Sequence, residues 1–191
     1  MMAQIQEDKY NLAPKKFNMW IFIFTSFMFF AALTSGFIVY TGGREHAINI
    51  ILPKAFMYST TVIIISSITM FLASRAAKRL EFAKQRLFLW LTLALGLLFF
   101  AIQIYGWTIL IKMGVYFINP NASQSFIYVF TGMHLLHIFA GLLLIINTLW
   151  RSYKNVPQAK NLFGMEMSAI FWHFVDIIWI YLYVFLLLNQ Y

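Results

Sequence analysis

The sequence predicts an all-α, polytopic membrane protein: a transmembrane bundle of five helices, N-terminus inside and C-terminus outside. Three observations predict it. Of the 191 residues, 62% are hydrophobic and only 10% charged, whereas a soluble domain carries roughly 25% charged residues. Five apolar stretches reach the length that a helix needs to span a bilayer, ~20 residues. Lys and Arg then gather on one side of those stretches. A soluble chain of this length would have too little core for so much apolar surface.

The first span is expected at Phe17–Tyr40, preceded by Lys15-Lys16 and ended by Thr41-Gly42-Gly43-Arg44. Its run exceeds the ~7–15 residues of a signal h-region, so it reads as a retained helix. Ala32 and Gly36 form a small-xxx-small pair suited to close helix packing. The second span, Ala55–Ser74, follows Pro53 and carries Ser66, Ser67 and Thr69. In the third, Leu87–Ile111, Gln103 is expected to hydrogen-bond to a neighbouring helix. Asn119-Pro120-Asn121 then signals a turn before the fourth span, Phe126–Trp150. The fifth, Met167–Leu188, holds the only Asp, Glu, Lys or Arg within any span, Asp176.

Trp20, Trp90, Trp107 and Trp150 fall near span ends, as interfacial aromatics do, while Trp172 and Trp179 lie deeper and read as packing residues. Continuous apolar runs exclude the alternation of a membrane β-barrel. Residues 1–191 read as a single transmembrane domain, with no internal repeat.

Orientation follows from the cations. Lys9, Lys15, Lys16, Arg75, Lys78, Arg79, Lys84, Arg86, Arg151, Lys154 and Lys160 lie on one side, against Arg44, Lys54 and Lys112 on the other. The richer side faces inward. The net charge of +8 therefore belongs to topogenic loops, not to a nucleic-acid surface. The run from Arg75 to Arg86 also fits an anionic-lipid patch. The absence of cysteine excludes thiolate metal sites, iron–sulfur clusters and disulfides. Asn121-Ala-Ser123 fits a glycosylation acceptor, a match short enough to arise by chance.

Function should show in the few polar groups inside the spans. An Asp at mid-helix costs ~2.5–3.5 kcal/mol on insertion scales. Asp176 lies near the midplane with His173 one turn before it, and His134 and His137 stand i, i+3 in the fourth span. Spans four and five run antiparallel, which puts His137 ~20 Å and Asp176 ~16 Å from the inner surface. An Asp176–His137 pair is therefore expected. Three histidines and a carboxylate would suffice for a metal centre by count, but bulky neighbours such as Met133, Phe171 and Trp172 favour packed structural histidines. A proton relay could begin at Glu166, yet beyond Asp176 the fifth span offers only Tyr181 and Tyr183.

Two segments carry a resemblance. Phe171-Trp-His-Phe-Val-Asp-Ile-Ile-Trp-Ile-Tyr-Leu-Tyr, with Phe163-Gly-Met-Glu166 before it, resembles the terminal helix of haem–copper oxidase subunit III. Thr131-Gly-Met-His-Leu-Leu-His-Ile-Phe-Ala-Gly141 resembles the helix before it, and Lys16-Phe-Asn-Met-Trp-Ile-Phe the start of the first shared helix. The likeness runs through the chain in order and is similar to the short five-helix bacterial form. Family members commonly place glutamates where Ser26 and Gly106 stand here, so roles of those carboxylates do not carry over.

The resemblance implies an accessory subunit of a proton-pumping terminal oxidase in the bacterial inner (plasma) membrane. Haem and copper would stand in partner subunits, with no redox centre or catalytic residue in this chain. Subunit I would be the main partner, with subunit II and small subunits beside it, and phospholipid would be bound. His134, His137, Glu166, Trp172, His173, Asp176 and Trp179 would then organise structure, lipid or partners. The alternatives are a subunit-III-like partner of a nitric oxide reductase, a small membrane transporter and a haem-binding anchor. A transporter would show broken helices or inverted repeats at the midplane. Whether cytochrome c or quinol is the electron donor, the residues do not distinguish.

Overall fold

Continuous apolar runs without interior proline leave the helix as the way to pair every backbone N–H and C=O inside lipid. The structure, a computed structural model, describes residues 12–42, 48, 50–118, 121–154 and 157–190. Among them five helices form: α1 (Leu12–Thr41), α2 (Lys54–Lys78), α3 (Phe82–Lys112), α4 (Ala122–Tyr153) and α5 (Gln158–Leu188). All five are long and apolar enough to cross a membrane. Lys9, the Gly43-Arg44 end of the first span and the Asn119-Pro120 turn lie outside the described residues.

The helices outrun the apolar stretches, mostly at the side rich in cations. A helix of thirty-one residues, such as α5, is ~46 Å long at ~1.5 Å per residue, against a hydrocarbon core of ~30 Å. Hydropathy marks where lipid begins, whereas the backbone ladder continues until a cap or turn stops it.

The stops are local chemistry. At the end of α2, Leu80 adopts a left-handed φ of 62°, and the N–H groups of Leu80 and Glu81 return to the carbonyls of Ala77 and Ala76. This is a Schellman closure built on leucine where glycine is usual. Lys84 pairs with Glu81 at 2.9 Å, and its hydrogen bond holds the Glu81 carboxyl below the usual carboxylate range. Gly114, at φ 81°, closes α3 the same way. The Asn121 side chain caps α4 by accepting from Ser123 N–H at 3.0 Å.

Helices α2, α3, α4 and α5 close into a four-helix ring in that order, and α1 lies outside it against α4 and α5. The core is aromatic, with Trp172, Trp179, Phe56, Phe99 and Phe130 fully buried. α1 turns Ser26, Phe30, Thr34 and Phe37 to the ring. Ala32 and Gly36 are consequently on its outer face, and a Cβ built at Gly36 meets nothing within 4 Å. The small-xxx-small pair therefore packs against no other helix among the described residues.

The cation-rich end of the ring is tied by polar side chains. Gln85 and Asn161, both buried, exchange amide hydrogen bonds of 3.4 and 3.3 Å between α3 and α5. Arg86 donates through Nε and Nη2 to the Ser152 carbonyl and lies 4.4 Å over the Tyr153 ring.

Candidate functional site

The polar groups at mid-depth lie mainly along the seam of α2 and α5. Trp172 Nε1 donates to Ser66 Oγ at 3.1 Å, Trp179 Nε1 donates to Thr60 Oγ1 at 3.0 Å, and Ser67 Oγ stands 2.7 Å from His173 Nδ1. Serine and threonine on α2 thus meet ring nitrogens on α5, because Trp172, His173 and Trp179 recur on one side of that helix. α2 is also tied to α3, through Gln103 Nε2 donating to Ser59 Oγ at 3.1 Å and the Thr69–Thr92 hydroxyl pair at 2.9 Å. The hydrogen bond expected of Gln103 is present.

Asp176 lies between the two tryptophans on this seam and is buried. Its Oδ2 is 4.0 Å from His173 Nδ1, and neither carboxyl oxygen has a hydrogen-bond partner among the described residues. The expected Asp176–His137 pair does not form. His137 Nδ1–H donates to the Met133 carbonyl at 2.8 Å, which leaves Nε2 to accept from Ser26 Oγ of α1 at 3.3 Å. Depth along a helix follows from its rise alone. Azimuth decides the partner, and it turns His137 to Ser26 of α1.

His134 points into the ring, fully buried, with its centroid 4.9 Å from that of Trp179 and 5.7 Å from that of Phe99. Neither ring nitrogen has a hydrogen-bond partner among the described residues. Two histidines three residues apart therefore serve different interfaces. Among the described residues no three of His, Asp and Glu come together as metal ligands.

Trp172 fixes the crossing of α3, α4 and α5. A Cβ on Gly96 would lie 2.8 Å from its Cη2, and one on Gly141 2.9 Å from its Cε3. The indole fits only because both facing positions lack a side chain. At the two positions where the resemblance leads to an expectation of glutamate, Ser26 bonds His137, and a Cβ on Gly106 would come 3.3 Å from Phe56 Cε2. The Gly106 position is closed by an aromatic ring.

At the cation-rich end, α1 stands away from α4 and α5 and leaves a cavity of about 210 Å³ lined by Lys15, Met19, Asn147, Arg151 and Gly164, among others. Lys16, next to Lys15, forms a 2.6 Å ion pair with Glu166. Neither Lys15 nor Arg151 has an ion-pair partner among the described residues. Sequence reasoning counted these cations only as topogenic. The signal that could have found the Lys16–Glu166 pair is two opposite charges at the same expected inner edge.

Comparison with known proteins agrees with this architecture. Residues 12–190 match the family described as cytochrome c oxidase subunit III. The chain is 30% identical over 173 residues to cytochrome c oxidase subunit 3 of Thermostichus vulcanus, covering 87% of this chain and 83% of that protein. It is 27% identical over 173 residues to cytochrome c oxidase subunit 3 of Bacillus sp. (strain PS3), covering 88% and 83%. With cytochrome bo(3) ubiquinol oxidase subunit 3 of Buchnera aphidicola it shares 28% identity over 189 residues, covering 95% and 90%. A five-helix membrane bundle whose signature residues pack α5 against its neighbours, matched over nearly its whole length, thus belongs to the cytochrome c oxidase subunit III family and is an accessory subunit of a haem–copper oxidase.

Proposed function

We propose that this chain is a subunit without catalytic residues in an oxygen-reducing, proton-pumping oxidase whose haem and copper stand in subunit I. It braces subunit I, with subunit II and small subunits nearby, in a bacterial inner membrane, its N-terminus inside. The observation that carries this reading is the use made of the polar groups at mid-depth. Ser66, Ser67, Thr60, Gln103, His137, Trp172, His173 and Trp179 all bond helix to helix. His134 and Asp176 are enclosed by the same packing.

The cavity beside Arg151 supports the lipid part of the reading. Two cations and the Asn147 amide around about 210 Å³ at the inner edge fit the phosphate of an anionic phospholipid. Glu166 keeps α1 in place beside it through Lys16.

The test is gentle purification through a tag on this chain, with a redox spectrum, subunit identification and lipid extraction. Co-purification of a haem–copper catalytic subunit is expected. Its absence overturns the reading. Lys15→Gln with Arg151→Gln is expected to remove a tightly held anionic phospholipid while leaving haem content unchanged.

A further inference from the structure

Among the described residues, one face of α5 is left uncovered by the other helices. Ile170, His173, Ile177, Ile180 and Val184 follow one another at alternating spacings of three and four. α1 flanks this face through the 2.7 Å bond between Thr34 and Tyr181, and α2 flanks it through the 2.7 Å bond between Ser67 and His173. The result is a shallow groove floored by α5. Its spacing is the one by which a helix offers a seam to another helix.

His173 stands in that groove. It is six residues inside the apolar stretch opening at Met167, ~9 Å deep at ~1.5 Å per residue. Its side chain is nevertheless 34% exposed, and only Nδ1 is hydrogen-bonded among the described residues. An imidazole nitrogen directed at hydrocarbon is costly, and ionisable side chains within membranes almost always face protein or a water-filled cavity. Lipid tails offer Nε2 no hydrogen bond. A neighbouring helix does, from a side chain or a freed carbonyl.

We propose that this groove seats a transmembrane helix of another subunit of the oxidase, with a hydrogen-bonding group placed at the depth of His173 Nε2. The inference rests on the subunit reading above and adds where contact is made. The Ser67 hydroxyl fixes the ring from within, so that Nε2 is presented outward. Ile177, Ile180 and Val184 supply the apolar continuation of the seam.

The experiment places a photo-reactive p-benzoylphenylalanine at Ile177 in one variant and at Leu98, exposed on α3, in another. Each variant is irradiated in native membranes, and the complex is isolated through a tag on this chain. The expected result is an adduct from position 177 to a transmembrane segment of another subunit, with position 98 yielding lipid adducts. Lipid adducts alone from position 177, or adducts to a second copy of this chain, in a complex that still contains the haem–copper subunit, overturn the groove while leaving the subunit reading intact. Loss of the haem–copper subunit even from the unsubstituted chain overturns the subunit reading itself.

His173→Leu is expected to lower retention of the partner subunits in detergent about threefold, the worth of an average hydrogen bond between membrane helices. His173→Gln should restore it. Equal retention by His173→Leu and the unsubstituted chain overturns the hydrogen bond.

Discussion

The Trp172 indole lies against the bare backbone of Gly141, close enough that a Cβ there would stand 2.9 Å from Cε3. Trp172 cannot retreat freely, because Nε1 is held by Ser66 and its far edge meets Gly96. Gly141→Ala is therefore expected to destabilise the bundle by about 1–3 kcal/mol, the usual cost of overpacking. Gly36→Ala, in open space on α1, should cost nothing. Thermal denaturation of the detergent-purified protein separates the two. Equal midpoints would mean that the indole is not confined as described.

His137 and Asp176 offer a second test. Since His137 bonds Ser26 and Asp176 makes no hydrogen bond to it, His137→Gln and Asp176→Asn should combine additively, within about 0.5 kcal/mol. Ser26→Ala and His137→Gln should instead couple by about 0.6 kcal/mol, as hydrogen-bonded pairs in membranes do. Two double-mutant cycles on unfolding in mixed micelles measure both.

The same two residues mark how far the sequence could be read. Number, order and depth of the helices follow from hydropathy, which is a property of each stretch alone. The packed roles of Trp172 and Trp179 follow from their distance to the span ends. Which way His137 turns depends on its angle about α4 and on α1 lying outside the ring, and neither is encoded in a hydropathy profile. At the cation-rich side the helices extend beyond their apolar stretches for a related reason. Gln85, Arg86 and Asn161 lie outside the apolar stretches, yet they pair with side chains or carbonyls of neighbouring helices within helical segments. Gly96 gave no signal, because a glycine in an apolar run resembles any other until the indole opposite is known.

The Lys16–Glu166 pair joins α1 to α5 at 2.6 Å, with both side chains nearly half exposed. Exposure limits its worth to about 0.2–1 kcal/mol, and salt screens it. Lys16→Glu should weaken the docking of α1, and adding Glu166→Lys should recover it. Protease accessibility of the α1 start, followed with and without added salt, checks this. High salt should erase the difference between the unsubstituted chain and Glu166→Gln.

The two helix stops built on left-handed residues predict effects of opposite sign. Leu80 carries a φ of 62° and Gly114 one of 81°. A side chain in that region costs ~1–2 kcal/mol, so Gly114→Ala should destabilise by about that much. Leu80→Gly removes the clash but adds chain freedom to the unfolded state, worth ~0.5–1 kcal/mol. Its net effect is a gain of about 0.5 kcal/mol. Leu80 is exposed, so little packing is lost to obscure the result. Unfolding of the two variants under identical detergent conditions should displace the midpoint in opposite directions. A loss in Leu80→Gly would mean that its side chain is held by something beyond this chain, such as the membrane surface.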